Sequence, residues 1–567
     1  MKMMMIKNKT LWMLGLSLAL ISCNEDNTLP EIEEVEAAQE VTENIALDSG
    51  SADFSNYVAI GASFTAGFSD GALFIASQEN SFPNILASKF ALVGGGDFNQ
   101  PLMNDNIGGL LFLGNQAQEP RFYFDGSGPA RLPATPTTEI TTSIAGAYNN
   151  FGIPGAKSFH LTFPGYASLN PYFGRMATSP TITVLEQALA QSPTFFTLSE
   201  IGGNDVLGYA LDGGTGEDQT GNTDAASYGE SDITDPTLFG TIFEGMVTAL
   251  TANGAKGVVV NVPYITSLAN FTTVPYNPLD PTEKDEDDED GDGDVDELTE
   301  TAAELAAQIP TLNALFGNLN QIFDFLGETE RIIEFSSDAT NPVVIEDENL
   351  TDLSETIENI LSSSTEFPVF VESFGLPAAA APSVAALLGD IYGQARQATA
   401  EDLLVLASSA VIGETDTPTV SYLQGQGLSV ALANQFAIEG LTKPLTDQWV
   451  LTPEEQEAIK TATDAYNESI ANVAASNNNV VMIDLNSVLT EASISGLEFD
   501  NYNLNTALVT GGLISLDGVH LTSRGYALMA NKILETIDDG FGSNFSEATN
   551  GLAKADDYPT NYSFSFR

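Results

Sequence analysis

The sequence predicts an α/β protein built around a mainly parallel β-sheet. A helix that begins at Asp235–Pro236 and runs to about residue 253 precedes the apolar segment Gly257–Val262. A helix followed by a buried strand is the repeating unit of parallel α/β folds. The alternation recurs with a helix over Thr452–Ala475, a strand over Val480–Leu485 and a closing helix over Arg524–Ile537. The chain has 567 residues, 43% of them apolar, which is enough to bury a large core.

The first strand of this sheet is predicted at Tyr57–Ile60. The turn Gly61–Gly67 follows it and carries Ser63 between its two glycines. Glycine lets the backbone bend sharply at a strand end, so that the hydroxyl and the N–H of Ser63 can face the same point in a cleft. The segment lacks the G-x-S-x-G pattern of the α/β-hydrolase elbow, and an ordinary strand-to-helix turn remains the alternative interpretation.

Two further blocks place hydrogen-bond donors at predicted strand ends. Asn150–Ala156 contains Gly155, which offers a backbone N–H, and Gly202–Asp205 contains Asn204, which offers a side-chain amide. Acyl transfer develops negative charge on a carbonyl oxygen, and fixed N–H groups stabilise that charge. Each block alone is also a common loop sequence, so the order of the blocks along the chain is the stronger signal.

The chain has only two histidines, which limits the choice of a catalytic base. His520 follows Asp517 by three residues, a spacing that lets the carboxylate orient the imidazole. His160 has no acid at that spacing, and we expect it to be a packed histidine or to line the pocket. Two histidines and a single cysteine exclude a zinc site of the usual nitrogen and sulfur ligands.

The order of these blocks resembles that of the SGNH hydrolases, also called the GDSL esterase and lipase family. The resemblance implies that Ser63 is the nucleophile, with Asp517 and His520 completing the triad. It also implies that the N–H groups of Ser63 and Gly155 and the amide of Asn204 form the oxyanion hole. The implied fold is a three-layer, flavodoxin-like α/β/α sandwich made from residues 56–264 and 452–540, with residues 541–567 as a C-terminal tail. One departure is Ala62, which stands where the family usually has an aspartate.

Residues 265–451 form a long insertion that the sandwich does not need. We expect it to be a cap or side domain over the cleft and to govern the choice of substrate. Segments 331–335 and 342–345 have the pattern of paired strands, and segments 298–326 and 400–410 that of helices.

The amino terminus has the pattern of a secretory leader. Three lysines within the first nine residues precede the apolar run Leu11–Ile21, which is too short to span a bilayer comfortably. Cys23, the only cysteine, follows a small residue and resembles the lipidated cysteine of a bacterial lipoprotein. Residues 1–22 are therefore predicted to be a signal peptide and residues 23–55 an acidic, flexible tether. The acidic residues after Cys23 also resemble the export signal of surface-exposed lipoproteins in Bacteroidetes.

The formal net charge is −60, which makes nucleic acid an implausible partner because a polyanion would be repelled over the whole surface. One acidic segment, residues 288–300, resembles an EF-hand calcium loop. Its candidate ligands are Asp288, Asp290, Asp292 and Asp294. Gly293 occupies the sixth position, but the twelfth is Thr299 where such loops carry glutamate. A structural calcium site and a solvated acidic run remain open alternatives.

Taken together, these features predict a lipid-anchored serine esterase of the cell envelope, with the outer membrane as its expected location and surface exposure as an open alternative. Its substrates would be esters of lipids, small molecules or carbohydrates. It would require no cofactor, and a structural Ca²⁺ in the acidic segment is left as an open alternative. One alternative is a non-catalytic surface lipoprotein that binds glycans or lipids on the same scaffold. A second is a calcium-dependent adhesion module.

Overall fold

A five-stranded parallel sheet runs through the protein, which confirms the predicted α/β class and the parallel sheet. The structure is a computed structural model that describes residues 45–284 and 299–567. The strands are β1 Tyr57–Gly61, β2 Asn150–Gly152, β3 Phe195–Leu198, β4 Lys256–Val260 and β5 Val480–Ile483. Their spatial order is β5-β4-β3-β1-β2, and every neighbouring pair is parallel.

The register of the sheet brings the carboxyl ends of its middle strands together. Gly61 lies beside Gly152, and Ile60 lies beside both Phe151 and Leu198. All residues of β1 and β3 are buried, as expected for strands covered on both faces. The loops that follow β1, β2 and β3 therefore leave the sheet at one edge, which is where α/β proteins build their sites.

Seventeen helices are found in the described residues. Those before residue 265 are α1 Ser63–Ala66, α2 Ile75–Glu79, α3 Phe82–Phe90, α4 Pro171–Met176, α5 Val184–Leu189, α6 Asn204–Leu211 and α7 Pro236–Thr251. Between residues 265 and 451 they are α8 Ala269–Thr272, α9 Glu300–Leu326, α10 Ser354–Ser363, α11 Phe367–Ser373, α12 Ala381–Tyr392, α13 Thr417–Gly425 and α14 Val430–Gln435. The last three are α15 Pro453–Ser476, α16 Leu485–Ile494 and α17 Ser523–Phe541.

Two pairs of helices cover the sheet. Helix α7 packs along α15 and helix α3 packs along α17, while α15 and α17 both contact β4 and β5. This arrangement is compatible with a three-layer sandwich. Five short antiparallel strand pairs lie outside the sheet: Leu110–Phe112 with Asn115–Gln118, Phe122–Phe124 with Pro129–Arg131, Val344–Glu346 with Ala395–Gln397, Leu403–Leu404 with Val450–Leu451, and Leu497–Phe499 with Tyr502–Leu504.

Local caps explain why the long helices begin where the sequence predicts. The Asp235 carboxylate accepts the N–H of Leu238 at 2.8 Å at the start of α7. Thr522 caps α17 by accepting the N–H of Gly525 at 2.9 Å. Such side-chain acceptors satisfy N–H groups that have no partner within the helix. The predicted ends of α7, α15 and α17 lie within about four residues of the observed ones.

Residues 274–450 contribute a second hydrophobic cluster, separate from the one around the sheet. Residues 45–567 nevertheless group as one compact unit. Among the described residues, no single helix is both long and apolar enough to cross a membrane, although Phe367–Ser373 and Ala378–Tyr392 meet that criterion together as a pair bent by 117°.

The predicted pairing of segments 331–335 and 342–345 is wrong. The strand Val344–Glu346 pairs with Ala395–Gln397 instead. The backbone of the first segment is already satisfied by side chains of α9. The Asn320 amide binds the N–H and the carbonyl of Ile333, and the Asn313 amide binds those of Phe335. Segment 400–410 is likewise a short strand and a 3₁₀ turn and not the predicted helix.

Both ends of the described chain are packed against the core. Phe54 stacks on Phe90 with ring centroids 4.0 Å apart, so the folded region begins before the predicted end of the tether at residue 55. The fully buried Arg121 donates hydrogen bonds to the carbonyls of Tyr562, Ser563 and Phe566. The predicted C-terminal tail, residues 541–567, is therefore packed against the rest of the fold. The predicted signal peptide, Cys23 and the candidate calcium ligands Asp288–Asp294 lie outside the described residues.

Candidate active site

Ser63 is the first residue of α1, directly beyond the carboxyl end of β1. It is 7% exposed. The turn that carries it is tight, because a Cβ on Gly61 would overlap the Thr65 side chain and lie 2.5 Å from the Ser199 carbonyl oxygen. Glycine is therefore needed at this position for the start of α1 to pack against the end of β3.

The carboxylate of Glu200 binds the start of α1. Its Oε2 accepts the N–H of Phe64 at 2.6 Å, and its Oε1 accepts the N–H and the hydroxyl of Thr65 at 2.7 and 2.8 Å. The N–H of Ser63 donates to no described residue, so it is available to a ligand. Glu200 thus supplies an acid near Ser63 although residue 62 is alanine.

Glu200 is not among the site residues predicted from the sequence. Its signal was an acid two residues beyond the buried strand β3, at the sheet edge where the other candidates lie. Glu200 adopts a positive φ of 59°, which is uncommon for a residue other than glycine and often marks a functional site. Burial raises the pKa of Glu200 to about 7, although its hydrogen bonds from Thr65 and Phe64 and the nearby His520 oppose that rise.

Asp517 and His520 form a hydrogen-bonded pair. Nδ1 of His520 lies 2.9 Å from Oδ2 of Asp517. The backbone holds this carboxylate in place, because Gly71 N–H donates to Oδ2 at 2.7 Å and the N–H groups of Val519 and His520 donate to Oδ1 at 2.9 and 2.8 Å. Burial alone would raise the pKa of Asp517, but His520 and these N–H donors reverse the effect and hold it well below its ordinary value. Asp517 is therefore ionised and orients the imidazole.

The segment that carries Ser63 packs against this pair. The ring of Phe64 meets the His520 ring edge-on with centroids 5.7 Å apart, and the ring of Phe68 lies 4.6 Å from it. The hydroxyl of Ser69 donates to the carbonyl of Leu521 at 3.1 Å. Within the described residues, Ser63 Oγ makes no hydrogen bond to His520. The structure thus brings the two segments together without joining the two reacting groups.

The two other predicted donors lie next to each other. Asn204 is the first residue of α6, and its Nδ2 donates to the carbonyl of Ala156 at 2.9 Å, immediately after Gly155 in the chain. Gly155 is exposed and has a φ of +77°. Its N–H donates to no residue in the described part of the chain, so it is available to a ligand.

A narrow cavity, with room of about 40 Å³ for the centres of water-sized molecules, opens beside Ser63. Its lining is mainly apolar and consists of Ser63, Phe64, Glu200, Gly203, Asn204, Leu207, Asn261, Pro263, Ile265, Leu268, Leu485, Leu489 and Val519. Of the five residues predicted for the site, Ser63 and Asn204 contribute to this lining, while Gly155, Asp517 and His520 do not. A mainly apolar wall with a few converging polar groups is typical of a small-molecule site.

His160 belongs to the packing of a neighbouring loop. Its ring stacks on Tyr166 with centroids 4.5 Å apart, and its Nδ1 accepts the N–H of Lys157 at 3.1 Å. Burial, assisted by the charge of Lys157, lowers the pKa of His160 to about 4, so the ring is neutral at pH 7. It does not line the cavity beside Ser63.

No family model matches this chain, and neither a curated protein nor a solved structure matches it. The resemblance to the SGNH hydrolases therefore rests on the four sequence blocks alone.

Proposed function

We propose that this protein is a serine hydrolase of the SGNH type that cleaves carboxylic esters. One observation carries the proposal: an imidazole oriented by a buried carboxylate packs against the segment that bears Ser63, whose N–H is unpaired and whose side chain lines an apolar cavity. A hydroxyl, an oriented base and free N–H donors at one place are the groups that acyl transfer needs.

In the proposed reaction, neutral His520 accepts the proton of the Ser63 hydroxyl as Oγ attacks the ester carbonyl carbon. The carbonyl oxygen becomes negative and accepts hydrogen bonds from the N–H groups of Ser63 and Gly155 and from the Asn204 amide. Asp517 stabilises the imidazolium. His520 then gives its proton to the departing alcohol, which leaves an acyl group on Oγ. Water, deprotonated by His520, hydrolyses that ester and restores Ser63.

The missing hydrogen bond between Ser63 and His520 is compatible with this reaction. Catalytic hydrogen bonds are often long or poorly aligned without substrate and shorten when it binds. Rotation of the Ser63 side chain is the smallest movement that would redirect Oγ, and it would leave α1 and its bonds to Glu200 unchanged.

The cavity supports an apolar acyl group as the part of the substrate that lies next to Ser63. Its wall includes the side chains of Leu207, Ile265, Leu268 and Leu489. Burying apolar substrate surface there contributes about 25 cal/mol per Å². We therefore propose esters of aliphatic acids as the substrate class.

Hydrolysis of nitrophenyl acetate tests the proposal directly. We expect turnover by the wild type and a loss of about 10³-fold or more in kcat for Ser63→Ala. Ser88→Ala is the control, because the hydroxyl of this exposed serine bonds only to the carbonyl of Ile85 within α3. A fluorophosphonate should phosphonylate Oγ of Ser63 with loss of fluoride, and mass spectrometry should find the adduct in the wild type and the control only.

The competing function is a binding lipoprotein on the same scaffold. The absence of a hydrogen bond between Ser63 Oγ and His520 favours it, because an inactive descendant has no need of that contact. Equal rates of nitrophenyl acetate hydrolysis by the wild type and Ser63→Ala, with no fluorophosphonate adduct on Ser63, would favour the binding function over the catalytic one.

We also propose that the chain is lipid-anchored in the cell envelope through Cys23, on the strength of the amino-terminal sequence pattern. Cells fed an alkynyl fatty acid should label the wild type and fail to label Cys23→Ala. Release of the Cys23→Ala protein from the membrane fraction would agree with this anchor, whereas retention of an unlabelled protein there would contradict it.

A further inference from the structure

Three carboxylates converge at a place outside the proposed active site. Glu348, Asp447 and Glu455 each contribute one oxygen atom to a group in which all the atoms lie within 4.8 Å of one another. Glu348 follows the strand Val344–Glu346, Asp447 precedes the strand Val450–Leu451, and Glu455 lies in the first turn of α15. The group thus joins two loops of the 265–451 segment to a helix that covers the sheet.

One carboxylate oxygen of Glu455 is buried without a hydrogen-bond partner among the described residues. The residue is 4% exposed. Its Oε2 accepts the N–H and the hydroxyl of Thr452 at 2.6 and 2.9 Å, as part of the capping of α15. Its Oε1 is buried and has no hydrogen-bond partner among the described residues. A buried carboxylate oxygen without a partner costs free energy, and bound ions are a common reason for finding one.

The ion pairs found among the described residues do not include these three carboxylates. Within residues 45–284 and 299–567, no lysine or arginine forms an ion pair with any of the three carboxylates. Burial raises the pKa of both Asp447 and Glu455, and the proximity of Glu348 raises each pKa further. The nearby Glu346 and Asp212 also act on Asp447 in this direction.

The backbone at Gly214 passes close to the Glu455 carboxylate. A Cβ on Gly214 would overlap Oε1 of Glu455, and Gly214 has a φ of +87°. Only glycine leaves room for the carboxylate here. Glu348 is exposed, so the group has an open side through which an ion and water can enter from solvent.

We propose that Glu348, Asp447 and Glu455 bind a Ca²⁺ ion that fastens the 265–451 segment to α15. All three ligands are oxygen atoms, which hard cations prefer. Oxygen ligands lie about 2.3–2.6 Å from Ca²⁺. The three oxygens lie within 4.8 Å of one another, so one ion can contact all of them. Water completes the coordination on the exposed side.

The test is a Ca²⁺ titration of the full chain after treatment with a chelator. We expect Ca²⁺ to raise the Tm of the wild type by about 2–3 °C at a hundredfold excess over Kd. Asp447→Asn should lose this increase. It should also have a Tm in chelator at least as high as that of the wild type, because the substitution removes repulsion between carboxylates. An increase retained in Asp447→Asn would overturn the proposal.

The acidic segment 288–300 requires its own control, since it is a separate candidate for calcium. The double variant Asp290→Asn with Asp292→Asn should retain the increase in Tm. If this variant loses the increase and Asp447→Asn keeps it, calcium binds at the segment and the proposal fails. It fails equally if about 10 mM Ca²⁺, well above the ~10⁻³ M Kd of weak extracellular sites, changes nothing in the wild type.

Tb³⁺ luminescence locates the ion independently of stability. The chain has two tryptophans, and Trp449 is two residues from Asp447. Tb³⁺ bound here should emit when tryptophan is excited, and the emission should disappear in Trp449→Phe and in Asp447→Asn. Emission that persists in both variants would contradict the proposed position. These experiments do not use catalysis, so their outcome is independent of the role of Ser63.

Discussion

The Glu200 carboxylate accepts hydrogen bonds from both the backbone N–H and the hydroxyl of Thr65, at 2.7 and 2.8 Å. Together with the bond from Phe64 N–H, these contacts fix the orientation of the turn that begins with Ser63. They also occupy the neighbouring N–H groups and leave that of Ser63 free. Glu200 is therefore a positioning residue for the proposed nucleophile.

Replacing Glu200 by glutamine should lower kcat by about 10²-fold, because an amide N–H₂ would face at least one N–H donor and shift the turn by about 1 Å. The free energy of unfolding should fall by about 1–3 kcal/mol. Glu186→Gln is the matched control, since Glu186 accepts the N–H of Thr183 at the start of α5, away from the cavity. Unchanged kcat in Glu200→Gln would show that the turn does not depend on this carboxylate.

Glu200 should also make stability depend on pH. Its pKa rises on folding from 4.5 to about 7, so the folded protein binds this proton more tightly than the unfolded chain. The resulting stabilisation is complete below pH 4.5 and is lost as the pH rises through about 7. Urea denaturation at pH 5 and pH 8 measures this change in the free energy of unfolding. The decrease in unfolding free energy between these pH values should be smaller for Glu200→Gln than for the wild type, and equal decreases would contradict the expectation.

Asp517→Asn should reduce kcat by about 10³–10⁴-fold, because the amide no longer stabilises the imidazolium and favours the wrong tautomer of His520. Residues of one catalytic unit are strongly non-additive. The double variant Asp517→Asn with His520→Gln should therefore be no slower than His520→Gln alone. Multiplicative losses in nitrophenyl acetate turnover would indicate that the two residues act separately.

Leu207→Trp should narrow the cavity and select against long acyl groups. Leu207 lies half-buried on α6 and lines the cavity, whereas Leu211 on the same helix is exposed and does not. The measurement is kcat/KM for nitrophenyl esters from acetate to palmitate. For Leu207→Trp, kcat/KM should fall about tenfold or more for the longer esters and change little for acetate. The reason is that one or two methylenes that no longer fit are worth about 1–3 kcal/mol. Leu211→Trp should have the wild-type profile, and the same profile for both variants would place the acyl group elsewhere.

The site was predictable where its parts are close in sequence. Asp517 and His520 are three residues apart, so their pairing needs only a local turn. Glu200 and Phe64 are 136 residues apart, and no local pattern links an acid after β3 to a helix after β1. The register of β1 with β3 brings them together. The segment 331–335 was misassigned for a similar reason, since its strand-like pattern is overridden by two asparagines of α9 that bind its backbone.

By itself, the sequence determined the α/β class, the parallel sheet and the beginnings of α7, α15 and α17. These features follow from apolar runs, glycine turns and capping side chains, all of which act over a few residues. Only the tertiary structure decided that Glu200 holds the Ser63 turn, that an apolar cavity opens beside it, and that Glu348 and Asp447 meet Glu455. Those relationships join segments distant in the chain, and packing of the whole fold, which local propensity does not encode, sets the distances between them.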